Sequence, residues 1–216
     1  MRLVTVNLYN GRVVPAALVQ FLDETNPDVV CAQEVGPDAA RILRERFAHG
    51  VAEGGLDHQG RALVSHIAVD PVPLDLTFRG GLAGTVDIDG VPVEVTSVHF
   101  ANPLNGLWAV RVRRRQLEEL EQHLGAPGRR VLVGDFNATP AWPAYRRISR
   151  LMDDGVADWG GRSGNRLGAT WSKRPSWPAM LRIDHVFTTG VTVNNARLDR
   201  VAGLDHRALT VDLSAP

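Results

Sequence analysis

The chain has 216 residues, of which 44% are hydrophobic and 22% charged, enough to bury a sizeable core, and residues 1–216 read as a single domain. No apolar run approaches the roughly 18 residues of a membrane span, and the N-terminus carries no basic segment followed by a long apolar one, which argues against both spanning and signal-directed secretion. Twenty-four basic residues balance 24 acidic ones, which excludes a global nucleic-acid footprint but leaves a local patch open; the lone Cys31 excludes an internal disulfide and a cysteine metal cluster, so a reducing cytoplasm is the expected location.

Arg2 to Leu8 reads as a strand, Pro15 to Glu24 as a short helix and Asp28 to Gln33 as a buried strand. Pro37 to Phe47 is a second helix with proline in its first turn. From Ala62 to Phe100 the pattern turns β-rich, and Asp89-Gly90 between Thr85–Ile88 and Val91–Val98 is a hairpin signal. Gly106 to Leu124 is predicted helical from Leu107, Val110, Leu117, Leu120 and Leu124. Arg130 to Val133 follows as a buried strand and Trp142 to Met152 as a helix. Three more strands are expected at Ile183–Thr188, Val191–Leu198 and Ala208–Leu213. Hairpin-joined strands with helices spread between them exclude a purely alternating parallel architecture and favour mixed sheets covered by helices.

The segment most informative for chemistry is Val131-Leu132-Val133-Gly134-Asp135-Phe136-Asn137. Alternation along a strand puts Asp135 and Asn137 on one side and Phe136 on the other, so a carboxylate and an amide converge at a strand end. That pair suits a hard divalent cation or an adjacent water and phosphate oxygen; an Asx turn capping a helix from Pro140 reads equally well. In Arg182-Ile183-Asp184-His185 the acid and the histidine must face opposite ways. Asp205-His206 directly precedes a strand, and Asp184 is a candidate to fix the tautomer of His206. Asn7, Glu34 and His99 each end an apolar strand, as a site assembled from several strands requires.

In this order the set resembles the endonuclease/exonuclease/phosphatase superfamily of metal-dependent phosphoesterases. Its main carriers are Gln33-Glu34, Gly134-Asp135-Phe136-Asn137, Arg182-Ile183-Asp184-His185 and Asp205-His206-Arg207, with Ser97-Val98-His99, Arg113-x-x-Gln116 and Gly168-Ala169-Thr170-Trp171 in support. The resemblance implies a four-layer α/β sandwich, two mixed sheets packed face to face with helices outside. It implies Glu34 as the principal Mg²⁺ or Mn²⁺ ligand, assisted by Asn7 and Asp205. Asp135 and Asn137 would hold the attacking water and a phosphate oxygen, His99 and His206 would contact the phosphoryl group, and Asp184 would orient His206. One departure is Leu204, where many relatives have serine; another is the short stretch between Glu34 and His99, which trims substrate-recognising loops.

The expected function is hydrolysis of phosphodiesters, DNA first, with a small-molecule or lipid-headgroup phosphoester as the alternative and a catalytically silent binding module as a second; no obligate protein partner is expected. Arg111, Arg113 and Arg114 on the helix after His99 are candidates for a DNA-backbone track, although Glu118, Glu119 and Glu121 follow at once, as on an ordinary solvated face. Lys173 is the only lysine; the arginine excess suits phosphate contacts, and codon bias accounts for it as well. Trp159, Trp171 and Trp177 are candidates for base stacking or for plain packing.

Overall fold

A computed structural model describes all 216 residues. The first sheet is built from β1 (Arg2–Asn7), β2 (Val29–Gln33), β3 (His49–Glu53), β4 (Arg61–Ser65), β11 (Thr192–Asp199) and β12 (Ala208–Ser214), in the order β11-β12-β1-β2-β4-β3. The second runs β5-β6-β7-β8-β10-β9, from β5 (Val72–Leu74), β6 (Gly81–Ile88), β7 (Val91–His99), β8 (Arg130–Asp135), β9 (Asp153–Asp154) and β10 (Asp184–Thr189). Both are mixed: β1 with β2 and β7 with β8 pair in parallel, the other neighbours antiparallel.

Three apolar clusters separate four layers. Leu3, Val29, Cys31, Val95, Val133 and Val186 pack in the cluster between the sheets. Helices α1 (Pro15–Thr25) and α2 (Pro37–Arg46) close the outer face of the first sheet through Leu18, Leu22, Ile42 and Leu43 against Val4, Val6, Val30 and Ala32. Helices α3 (Gly106–Leu124) and α4 (Pro143–Ile148) close the outer face of the second through Leu117, Leu120 and Ile148 against Leu132 and Phe187. The α/β sandwich is therefore the fold, and strands buried on both faces explain the near-continuous apolar runs.

The same alternation places polar chemistry at one end of the inter-sheet core. Successive inward positions read Leu3, Thr5, Asn7 on β1 and Val29, Cys31, Gln33 on β2. They read Val93, Val95, Ser97, His99 on β7 and Val131, Val133, Asp135 on β8. Each strand starts apolar and finishes polar, and parallel pairing brings the finishing ends together. Gln33 bridges the sheets there, donating to Thr5 Oγ1 at 3.4 Å and Ser97 Oγ at 3.1 Å.

Two elements differ from expectation. The helix from Trp142 stops at Ile148, and β9 and a further helix, α5 (Gly155–Ser163), follow. The Asp154 side chain caps α5 by accepting from the Ala157 N–H, and Val156 and Trp159 insert into the inter-sheet cluster, so Trp159 is core rather than a stacking residue. In α3 the buried stripe is Ala109, Val112, Arg113, Gln116, Leu117, Leu120 and Leu124, whereas Leu107 and Val110 are exposed. Cys31 lies in the core, where burial pushes its thiol well above the usual range and leaves it inert.

Candidate active site

Register sets the centre of the site. Asp135 stands opposite His99 across β7 and β8 and opposite Asp184 across β8 and β10, so three adjacent strands present one row. Gly134 is required next to it: its φ is +134°, and a Cβ there would lie 2.0 Å from the Val98 carbonyl oxygen. Beyond the strand the chain turns sharply at Asn137 (φ +45°), and the Asn137 N–H donates to Asp135 Oδ1 at 2.8 Å. This is an Asx turn, but it caps no helix, since α4 starts at Pro143 behind Trp142 without a side-chain cap; it fixes the Asp135 carboxylate instead. Asn137 Nδ2 donates to Asp135 Oδ2 at 3.2 Å and to the Phe100 carbonyl at 3.0 Å.

The first sheet supplies the facing groups. Asn7 Nδ2 donates to Glu34 Oε1 at 3.3 Å and to Asp135 Oδ2 at 3.1 Å, while its oxygen accepts the Tyr9 N–H at 2.9 Å. In this arrangement Asn7 joins the two carboxylates through its amide nitrogen. His99 Nε2 lies 3.4 Å from Asp135 Oδ2 and 3.6 Å from Glu34 Oε1. His206 Nδ1 is 2.9 Å from Asp184 Oδ2, so the sequence-distant pair is in contact, and His206 Nε2 looks toward Asp135 Oδ2 at 3.9 Å.

Burial and neighbouring charge set the protonation states. Burial alone would lower the His206 pKa, but the Asp184 carboxylate, with Asp135 and Asp205 beyond it, overrides that and raises it to about 10. His99 goes the other way, held well below its ordinary value first by burial and then by the Arg79 guanidinium. Burial, with Asp184 and Glu34 adding repulsion, raises the Asp135 carboxyl. A neutral imidazole, an imidazolium and a proton-avid carboxylate thus share one floor.

His185 faces away, as alternation demands. It is buried among Phe136, Tyr145 and Phe187, with Nε2 2.7 Å from the Ala138 carbonyl oxygen. Burial, then Arg182, lowers its pKa to about 4. A histidine held neutral in the fold stabilises it above the unfolded value near 6.5, and that stability is lost as pH falls from there through 4. Its full size is about 3 kcal/mol. The urea midpoint is expected to fall between pH 7 and pH 4 by more in the wild type than in His185→Gln; equal falls would show that this residue contributes nothing.

Two site residues were not foreseen. His58, in the loop between β3 and β4, places Nδ1 2.6 Å from Glu34 Oε2. Its backbone is left-handed at φ +63°, and its N–H donates to Asn10 Oδ1 at 3.1 Å. Arg79, just before β6, contacts His99 and lies 3.8 Å from Glu34 Oε1, with its Nε–H unpartnered. Of the proposed arginines, Arg113 is corrected. It is buried and donates to the Ala101 carbonyl at 2.5 Å and the Phe136 carbonyl at 3.1 Å, a brace for two strand ends rather than a substrate contact. Gln116 beside it accepts the Ala101 N–H. Arg111 and Arg114 are exposed, the latter 3.6 Å from Glu118.

These groups open into a cleft of ≈ 340 Å³ walled by Tyr9, Leu104, Trp142, Trp171 and Leu181. Trp171 Nε1 donates to Asp205 Oδ2 at 3.2 Å and Ser172 Oγ donates to the Asp205 carbonyl at 3.1 Å, holding the final loop without a hydroxyl at 204; Leu204 is buried instead. The other oxygen, Asp205 Oδ1, is buried with no hydrogen-bond partner. An orphaned carboxylate oxygen beside Glu34 fits a hard cation. Asp135, Asp184 and His206 also present ligand atoms within 4.8 Å of one another, with His206 Nδ1 committed to Asp184.

The family profile described as the endonuclease/exonuclease/phosphatase family matches residues 4–206. No curated protein sequence matches the chain significantly. Among solved structures, the 3′ phosphatase NExo from Neisseria, bound to a product DNA hairpin, is similar at 22% identity and TM-score 0.75 over 99% of both chains. TDP2 from D. rerio, complexed with a single-strand DNA product, gives 14% identity and TM-score 0.75 over 100% of this chain and 99% of that one. An endonuclease/exonuclease/phosphatase from Beutenbergia cavernae gives 21% and 0.76 over 100% of this chain and 71% of its own. With the profile spanning the strand ends from β1 to His206, the chain belongs to the endonuclease/exonuclease/phosphatase family of hydrolytic phosphoesterases.

Proposed function

We propose that this chain is a Mg²⁺- or Mn²⁺-dependent phosphodiester hydrolase acting on DNA. The observation that carries the reading is the convergence on Asp135 of His99, His206 and Asn137 beside Glu34 and the orphaned Asp205 oxygen. Glu34 and Asp205 would hold the cation, which when bound neutralises charge on the phosphoryl oxygens.

The chain's own groups do the rest. Asp135 has both oxygens fixed by donors and a raised proton affinity, which suits it to take a proton from an attacking water. His206, kept as imidazolium by Asp184, presents Nε2–H to a phosphoryl or leaving oxygen, and Arg79 brings a fixed positive charge to the same floor. His99, neutral at pH 7, is a hydrogen-bonding contact rather than a second cation. Asp184 touches no substrate position and is a positioning residue.

The test is a hydrolysis panel with Mg²⁺, Mn²⁺ or chelator over plasmid DNA, RNA, bis(4-nitrophenyl) phosphate and 4-nitrophenyl phosphate. DNA and the aryl diester are expected to turn over with metal alone. Full turnover in excess chelator, or activity confined to the monoester, would overturn the reading.

A further inference from the structure

The α3 phase leaves a feature the catalytic floor does not use. Leu107 and Trp108, in the first turn of the helix, are 80% and 52% exposed, and Leu104 just before it is 82% exposed. Phe78 joins them from the loop before β6, 42% exposed, in an edge-to-face contact with Trp108 at 4.9 Å between ring centroids. An apolar group of this kind on a surface calls for an occupant.

The loop that carries Phe78 is tied to α3. Thr77 anchors the loop to α3 with two hydrogen bonds of 2.6 Å, its N–H and its hydroxyl each donating to a Glu119 carboxylate oxygen. The patch is also continuous with the active site. Leu104 is part of the cleft wall, and Arg79, whose guanidinium lies 5.1 Å from the Phe78 ring, reaches the cleft floor. From the cleft floor at Arg79 the surface therefore passes to Phe78 and, through its ring contact, to Trp108.

Charge identifies that group. Past the exposed Val110, the next exposed positions along α3 are Arg111, Arg114 and Arg115, and the Arg114–Glu118 pair, at 3.6 Å, is an exposed contact that holds little energy against a competing phosphate. Exposed apolar and aromatic surface followed by arginines is the composition that binds a nucleic-acid strand with its bases unpaired, rings stacking on the first part and phosphates meeting the second. Paired bases inside a duplex present no free face to such a surface.

We propose that Phe78, Leu104, Leu107 and Trp108 form a platform for the unpaired base next to the scissile phosphate, so that the substrate is single-stranded DNA. The inference rests on the hydrolase reading above and names its substrate class.

The experiment measures kcat/KM of the full chain with Mg²⁺ on a 20-nucleotide single strand and the matching blunt duplex. Leu107→Ser/Trp108→Ala and Trp108→Phe are compared with wild type, with thermal denaturation to confirm folding. Wild type is expected to prefer the single strand by about tenfold or more, the double variant to fall toward parity through KM, and Trp108→Phe to keep the preference. Equal wild-type rates on the two DNAs, or a preference that survives the double variant, overturns the platform. It is also overturned if the double variant loses only co-sedimentation with anionic phospholipid vesicles while its oligonucleotide kinetics stay as in wild type. Hydrolysis of bis(4-nitrophenyl) phosphate but of neither DNA removes the platform and the DNA assignment while leaving the phosphoesterase in place. Hydrolysis of none of the three removes the underlying reading.

Discussion

Glu34→Gln is expected to lower metal-dependent turnover by about 10²–10³-fold and to weaken Mg²⁺ binding measured by calorimetry in step. The substitution keeps the shape of a residue that is 8% exposed and whose backbone sits at φ +51°, so the fold has no reason to fail. What changes is the charge and one of two oxygens. Oε1 lies among Asn7, His99 and Arg79, and Oε2 meets His58. An amide places an N–H donor where one of these donors now points and removes the anion that balances Arg79. His58→Ala should weaken binding less, by about tenfold, because an orienting partner outside the ligand set is lost rather than a ligand. Metal affinity in Glu34→Gln equal to wild type would move the cation to another set of carboxylates, the buried Asp135 and Asp184 first.

Much of this is legible in the sequence because the family's motifs sit where strand periodicity puts chemistry. Asn7, Glu34, His99 and Asp135 each end an apolar strand, and parallel pairing of β1 with β2 and β7 with β8 turns a repeated sequence pattern into a shared location. His58 and Arg79 were not readable because neither ends a strand: each lies in a glycine-flanked connection, and only the folding of those loops over the C-terminal end of β2 and the floor of β7 brings them to Glu34 and His99. Arg113 differs for another reason: its charge suggests a surface track, but its helical phase does not. It stands four residues after Ala109 and three before Gln116, on the buried stripe, and that spacing was present in the sequence. The same phase puts Leu107 and Val110, which signal the helix in the sequence, on its exposed side. Helix α5 was missed because Gly155, Gly160 and Gly161 depress propensity in a segment whose helicity comes from the Asp154 cap and from packing Val156 and Trp159.

Asp184→Asn is expected to leave the fold intact and to cut turnover by about 10²-fold or more, since an amide neither supports the imidazolium nor enforces its tautomer. The geometry allows little else: Asp184 is 2% exposed, its oxygens lie 3.2 and 2.9 Å from His206 Nδ1, and its N–H donates to Thr170 Oγ1 at 3.2 Å. If the pair acts as one unit, Asp184→Asn combined with His206→Ala should cost little beyond His206→Ala alone. The pH profile separates this from damage to packing. Asp184 is the largest influence opposing the desolvation of His206, so removing its charge lowers the imidazolium pKa from about 10, and the alkaline limb of kcat must move to lower pH. A variant that is slower at every pH with an unmoved limb would mean that Asp184 holds β10 in place and that the proton on His206 is set elsewhere. Losses that multiply in the double variant would point the same way, because two groups that share one proton cannot be removed twice.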